Sequence, residues 1–155
     1  MPSSESSRSE KMPQPVSGPC VLLYDGVCGL CGRTVRWLLR HDTHGRLLFA
    51  PLQQTLDGEV FARHALDPQR INSAVLVMNF GEPGERVVVR SDAILGCLSV
   101  LGGGWALLAA VARLVPSLLR DIAYNWFARN RHGLFANGES CTLPTAAERA
   151  RFLDI

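Results

Sequence analysis

Cys28 and Cys31 are separated only by Gly29-Leu30, and they follow a short apolar run, Val21-Leu22-Leu23-Tyr24, that turns through Asp25-Gly26 into a helical pattern. Two cysteines at that spacing on a helix N-terminus have the arrangement of a dithiol redox site. The thiolate is the reactive form of cysteine, and unpaired backbone N–H groups and the positive end of the helix dipole favour it. Helical spacing puts Leu30, Cys31, Val35 and Leu38 on one apolar face and Arg33, Arg36 and Arg40 on a polar stripe. Cys31 is therefore expected to point inward and Cys28 to stay within reach of a substrate sulfur, so Cys28 is read as attacking nucleophile and Cys31 as resolving thiol. Asp25 opposes a thiolate at Cys28, whereas the helix terminus favours one by ~0.3–2 kcal/mol. Spacing leaves Asp25 open as an opposing charge, as a proton acceptor for the resolving thiol, or as an anchor of the turn. Arg33 is a candidate accessory group for stabilising a thiolate or an acidic substrate, although arginines on such a stripe are usually solvated.

The other cysteines are Cys20, Cys97 and Cys141. Cys20 and Cys97 sit in apolar runs and are expected in the core. Cys141 stands before Pro144 outside regular structure, and is either a second resolving thiol or a fixed loop cysteine. A structural zinc site takes four ligands, and with no second Cys-x-x-Cys it would need Cys28, Cys31, Cys141 and His132 brought together by a folded-back C-terminal loop. Gly32 stands where covalent haem attachment requires histidine. His41, His44 and His64 fall at helix ends or faces with no Ser or Cys partner suggested by spacing. The favoured redox reading uses no bound cofactor and no metal.

The elements that must position the dithiol alternate. After the first strand and its helix, Leu47-Leu48-Phe49-Ala50-Pro51-Leu52 reads as a second strand, with Pro51 marking an edge or an end. A helix follows from about Asp57 to Ala65. Ala74 to Phe80 and Glu85 to Arg90 read as strands joined by a Gly81-Glu82-Pro83-Gly84 hairpin turn. Ser91 or Asp92 can cap the next helix, and Trp105 to Val115 supplies another beyond a glycine break. Past Pro116, Leu118, Leu119, Ile122, Ala123, Trp126 and Phe127 recur at helical spacing and predict an amphipathic helix with a buried face. Thr145 and Glu148 form a capping-box pattern for a terminal helix. The sum is an α/β core with a helical C-terminal portion.

Length and composition set bounds. A chain of 155 residues is expected to form one domain over 20–155 behind a disordered tail over 1–19, a stretch of Ser, Pro, Glu and Arg without the apolar run of a signal or span. A net charge of +2 and the lack of a basic tract interleaved with aromatics argue against nucleic acid as a partner. Five scattered cysteines fit a reducing, cytoplasmic setting better than a secreted disulfide framework. Ile94 to Ala112 carries no charge and is long enough to span a bilayer, but Gly102-Gly103-Gly104 interrupts it, so two short buried helices are expected there. Membrane association stays open without being favoured.

Asp25-Gly26-Val27-Cys28-Gly29-Leu30-Cys31 and the helix ending at Arg40-His41-Asp42 resemble the DCC family of predicted thiol-disulfide oxidoreductases, named for its Asp-Cys-Cys motif. The resemblance runs on, in order, through Phe49-Ala50-Pro51-Leu52-Gln53-Gln54, Ser91-Asp92-Ala93, Pro116, Arg120-Asp121, Tyr124, Asn130-Arg131-His132 and Cys141-Thr142-Leu143-Pro144. It implies a thioredoxin-like sheet with flanking helices and a helical C-terminal extension. It also implies protein-disulfide reductase activity at Cys28 and Cys31, with Asp25 as third motif residue, a disulfide-containing protein or small-molecule disulfide as substrate, and an external thiol as reductant. One departure stands out: well-studied thioredoxin-fold enzymes place a cis-proline just before the third strand, and Ile71-Asn72-Ser73-Ala74 offers none. The competing reading is a non-catalytic module, either zinc-stabilised through the cysteines or docking on a membrane or partner through residues 94–119.

Overall fold

The structure of the protein, a computed structural model, describes residues 18–25, 29–52, 55–67, 71, 73–134 and 145–153. The first unit is β1 (Cys20–Tyr24), α1 (Gly29–His41) and β2 (Leu47–Pro51), with β1 and β2 parallel and Leu22 level with Phe49. After α2 (Thr55–Arg63), β3 (Val75–Met78) lies antiparallel to β1, and β4 (Arg86–Val89) lies antiparallel to β3. The sheet order is β2-β1-β3-β4, a mixed four-stranded sheet of thioredoxin-like type.

Strand periodicity divides the core. Cys20, Leu22, Leu47, Phe49, Leu76 and Met78 face one side, where α1 contributes Val35 and Leu38 and α3 (Ser91–Leu101) contributes Ala93, Cys97 and Val100. Val21, Leu23, Ala50, Val75 and Val77 face the other, covered by Val60 and Phe61 of α2. Because both faces are covered, the central strands read as unbroken apolar runs. Pro51 ends β2, an edge strand, as its missing N–H requires. The outer side of β2 is occupied by the chain's end: Phe49 N–H donates to Arg151 O at 2.9 Å and Leu153 N–H to Phe49 O at 2.8 Å.

Asp42 fixes this arrangement. Its buried carboxylate accepts the N–H of Leu47 at 2.8 Å through Oδ2 and is paired there with the Arg151 guanidinium, which also donates to Leu47 O at 3.0 Å. Thr145 caps α6 (Ala146–Arg149) through the expected reciprocal box with Glu148.

The glycine break divides α3 from α4 (Gly103–Arg113) at Gly102 and Gly103, whose φ of 76° and 54° lie in the region glycine tolerates. The expectation that both helices are buried holds only for α3. On α4 Ala109 is the buried residue, whereas Leu107, Leu108 and Val111 are exposed. The same correction applies to α5 (Ser117–Leu134). Its stripe of Leu118, Leu119, Ile122 and Trp126 faces outward, and its opposite side, carrying Arg120, Asp121 and Tyr124, faces the protein. Helical spacing reports that a stripe is apolar without reporting what covers it.

Candidate functional site: a thiol beside an apolar cavity

The chain turns from β1 into α1 at the end of the sheet where Asp25, half-buried, follows Tyr24. α1 begins at Gly29, which puts Cys31 in its first turn and makes Cys28 the residue just before the helix. Cys28 itself lies outside the described residues, as do Gly26 and Val27. Thr34 Oγ1 donates to Leu30 O at 3.0 Å, a back-bond within this opening stretch of helix. The expected faces are present: Val35 and Leu38 are buried, Leu30 and Cys31 are half-buried, and Arg33 and Arg40 are exposed, with Arg36 half-buried between them.

Cys31 lines a cavity of about 360 Å³. Its floor is the sheet, at Leu22 and Tyr24, and one wall is α1, at Leu30, Thr34 and Val35. Ile94 of α3 and Tyr124, Phe127 and Ala128 of α5 complete the lining, with Ala74 at the entry to β3. The volume is that of a small ligand site, and apolar side chains dominate it. A sulfur here meets a hydrocarbon surface on one side and the start of a helix on the other.

α5 is held over this cavity by polar links. Ser91 Oγ donates to Asp121 Oδ1 at 2.6 Å, Arg120 Nη1 donates to Asp92 Oδ1 at 2.7 Å, and the N–H of Ala74 donates to the Tyr124 phenol oxygen at 3.3 Å. Ser91 and Asp92 are therefore not the N-cap of α3; that position is Arg90, at φ 56°, with no side-chain cap bond. The segment where thioredoxin-fold enzymes carry their proline instead presents Ala74 to Tyr124. Ser91, Asp92, Arg120, Asp121 and Tyr124 are separated in the sequence by up to 33 positions, and the fold brings them together. The available signal was polar residues recurring on one side of a helix whose other side is apolar.

Cys20 and Cys97 are core residues, as expected, and neither is among the residues lining the cavity. Burial pushes both thiols up, Cys97 far above the ordinary range, where the neighbouring Cys20 adds to the effect. These thiols are held in their unreactive form. Cys141 and the side chain of the zinc candidate His132 lie outside the described residues, so Arg33 is the accessory candidate that can be placed, exposed on α1. His41 stacks on Trp37 at 4.2 Å, with Trp105 of α4 edge-on to Trp37 at 4.8 Å, and His64 pairs with Glu85 at 2.7 Å. Neither histidine is among the cavity residues.

Among the described residues, no helix is long and apolar enough to cross a membrane. No solved structure gives a significant match to the chain. Two curated proteins resemble it along most of their length. YuxK of Bacillus subtilis (strain 168) is 32% identical over 133 residues, which cover 86% of this chain and 93% of that protein. A chloroplastic DCC family protein of Arabidopsis thaliana is 31% identical over 123 residues, covering 79% of this chain and 69% of that protein. The model of the DCC1-like thiol-disulfide oxidoreductases matches residues 22–137, which run from within β1 through Cys28, Cys31 and the cavity residues to the end of α5. With its thioredoxin-like sheet and a cysteine in the first turn of the helix after β1, the chain belongs to the DCC1-like thiol-disulfide oxidoreductase family.

Proposed function

We propose that the protein is a thiol-disulfide oxidoreductase of the protein-disulfide reductase type, with Cys28 as nucleophile and Cys31 as resolving thiol. The observation that carries the reading is the seat of Cys31, in the first turn of the helix that follows β1 and on the wall of a cavity. The Cys28 thiolate attacks one sulfur of a substrate disulfide, forming a mixed disulfide and expelling the other sulfur as a thiolate. Cys31 gives up its proton and attacks the Cys28 sulfur, releasing the second substrate thiolate. Two electrons pass from the dithiol to the substrate, and both released thiolates take up protons. Asp25, at the end of β1, is the candidate acceptor for the Cys31 proton, and Arg33 the candidate charge outside the thiol pair. An external thiol returns the Cys28–Cys31 disulfide to the dithiol, and a reducing, cytoplasmic setting favours this direction.

The test is the reduction potential of the pair. The protein is equilibrated in thiol buffers of graded potential, and thiols are counted by mass spectrometry. A reversible two-electron transition that Cys28→Ser abolishes is the expected result. A pair that forms no disulfide anywhere in the series would end the oxidoreductase reading.

A further inference from the structure

α5 is docked by its polar side and presents its apolar side outward. Leu107, Val111 and Leu114, followed by Leu118, Ile122 and Trp126, are between 55% and 83% exposed. Their spacing of three and four residues keeps the helical period through Pro116 and across both helices. An apolar face of this size on a folded chain marks a surface that meets something other than water.

Charge decides what. From Gly103 to Leu134 the sequence has Arg113, Arg120, Arg129 and Arg131 against one acid, Asp121, which Ser91 engages on the inner side. Arg113 and Arg129 are exposed, and Arg129, three residues after Trp126, continues the apolar stripe at its end. A second copy of the chain would bring arginines against arginines with no outward carboxylate on these helices to answer them. A bilayer surface with anionic headgroups meets every part of the pattern: acyl chains for the leucines, the headgroup boundary for Trp126, and phosphates for the arginines, whose stems can lie along the apolar stripe. Since no described helix is long and apolar enough to cross, the pair would lie on the membrane rather than span it. We propose that α4 and α5 form an interfacial helix pair that seats the protein on an anionic lipid surface.

The proposal does not depend on the dithiol, so the test uses the full chain with Cys28→Ser and Cys31→Ser. Co-sedimentation is measured with phosphatidylcholine vesicles and with vesicles that also contain phosphatidylglycerol. Two exposed arginines predict partitioning about 30-fold tighter onto the anionic vesicles. Leu118→Gln with Ile122→Gln, both at exposed positions, is expected to weaken it about tenfold or more. Arg113→Gln with Arg129→Gln is expected to remove the preference for anionic lipid while leaving circular dichroism unchanged. Failure to sediment with either vesicle, or equal sedimentation with both, overturns the proposal. So does a dimer in light scattering that Leu118→Gln with Ile122→Gln dissolves, which would assign the face to a second copy.

Discussion

Replacing Ser91 by alanine should open the cavity around Cys31 without unfolding the sheet. The polar links from the inner side of α5 to Ser91, Asp92 and Ala74 differ in strength. The Ser91–Asp121 bond joins a buried hydroxyl to a carboxylate at 2.6 Å, a class worth ~1.5–3 kcal/mol. The Asp92–Arg120 pair has its carboxylate side chain 52% exposed and contributes ~0–1 kcal/mol. The Tyr124–Ala74 bond is neutral and 3.3 Å long, worth ~0.5–1.5 kcal/mol. Because the apolar stripe of α5 points away from the core, these links restrain the helix, and Ser91–Asp121 is the strongest of the three. Its loss should raise the population in which α5 has lifted by about 10- to 150-fold.

Alkylation of Cys31 by a bulky maleimide, followed by mass spectrometry, reads that population. Cys28→Ser and Cys141→Ser in the background leave Cys31 as the reporter, while Cys20 and Cys97, at 0% and 1% exposure, serve as internal controls that react through global unfolding. The expected outcome is Cys31 labelling faster by one to two orders of magnitude in Ser91→Ala, with Cys97 labelling nearly unchanged. An unchanged Cys31 rate would show that α5 does not govern access to the thiol. Parallel acceleration of Cys31 and Cys97 would show that α5 and the sheet open as one unit.

Two further predictions concern stability. Arg151→Ala leaves the Asp42 carboxylate buried without its cation and should cost about 3–5 kcal/mol, lowering the calorimetric midpoint by about 6–20 °C; a shift of a degree or two would refute the latch. Cys97 keeps its proton in the folded protein, whereas in the unfolded chain it ionises near 9.0, so unfolding releases a proton at alkaline pH and stability is full below that value and falls as pH rises above it. The slope is up to ~1.4 kcal/mol per pH unit for the thiol, and in urea melts across the alkaline range Cys97→Ala should flatten it; parallel curves would contradict the assignment.

Much of the sheet was legible because its signals are local. The runs that became β1, β2, β3 and β4 are bounded by Gly, Pro and Asp, and both the Gly102 break and the Thr145–Glu148 box are written in a few adjacent residues. Strand order was not legible, because β3 pairs with β1 across more than fifty residues of intervening chain, and nothing in either run names its neighbour. The Asp42–Arg151 latch was invisible for the same reason, its partners standing 109 positions apart. At the site, the inward face of Cys31 followed from helical spacing, and the burial of Cys20 and Cys97 from the apolar runs around them. What spacing could not supply was the orientation of α5. Leu118, Ile122 and Trp126 form the stripe of a core helix on paper, and only the engagement of Asp121, Arg120 and Tyr124 on the opposite side shows that the helix is turned the other way.

That orientation changes the meaning of the polar side chains between α3 and α5. Ser91, Asp92, Arg120, Asp121 and Tyr124 include a buried hydroxyl, two carboxylates, a guanidinium and a phenol, a set that could pass for a second catalytic group if read as residue types. Their hydrogen bonds include Ser91 to Asp121, Arg120 to Asp92 and Ala74 N–H to Tyr124, and these hold Tyr124, Phe127 and Ala128 against the cavity that Cys31 faces. The N–H of Ala74, at the entry to β3 where thioredoxin-fold enzymes shape their substrate groove, is already taken by Tyr124. A substrate backbone seeking that donor must displace a phenol anchored on α5. Access to Cys31 and the position of α5 are thereby mechanically linked, and a contact on the outer, apolar side of the helix acts on the same element that walls the cavity on its inner side.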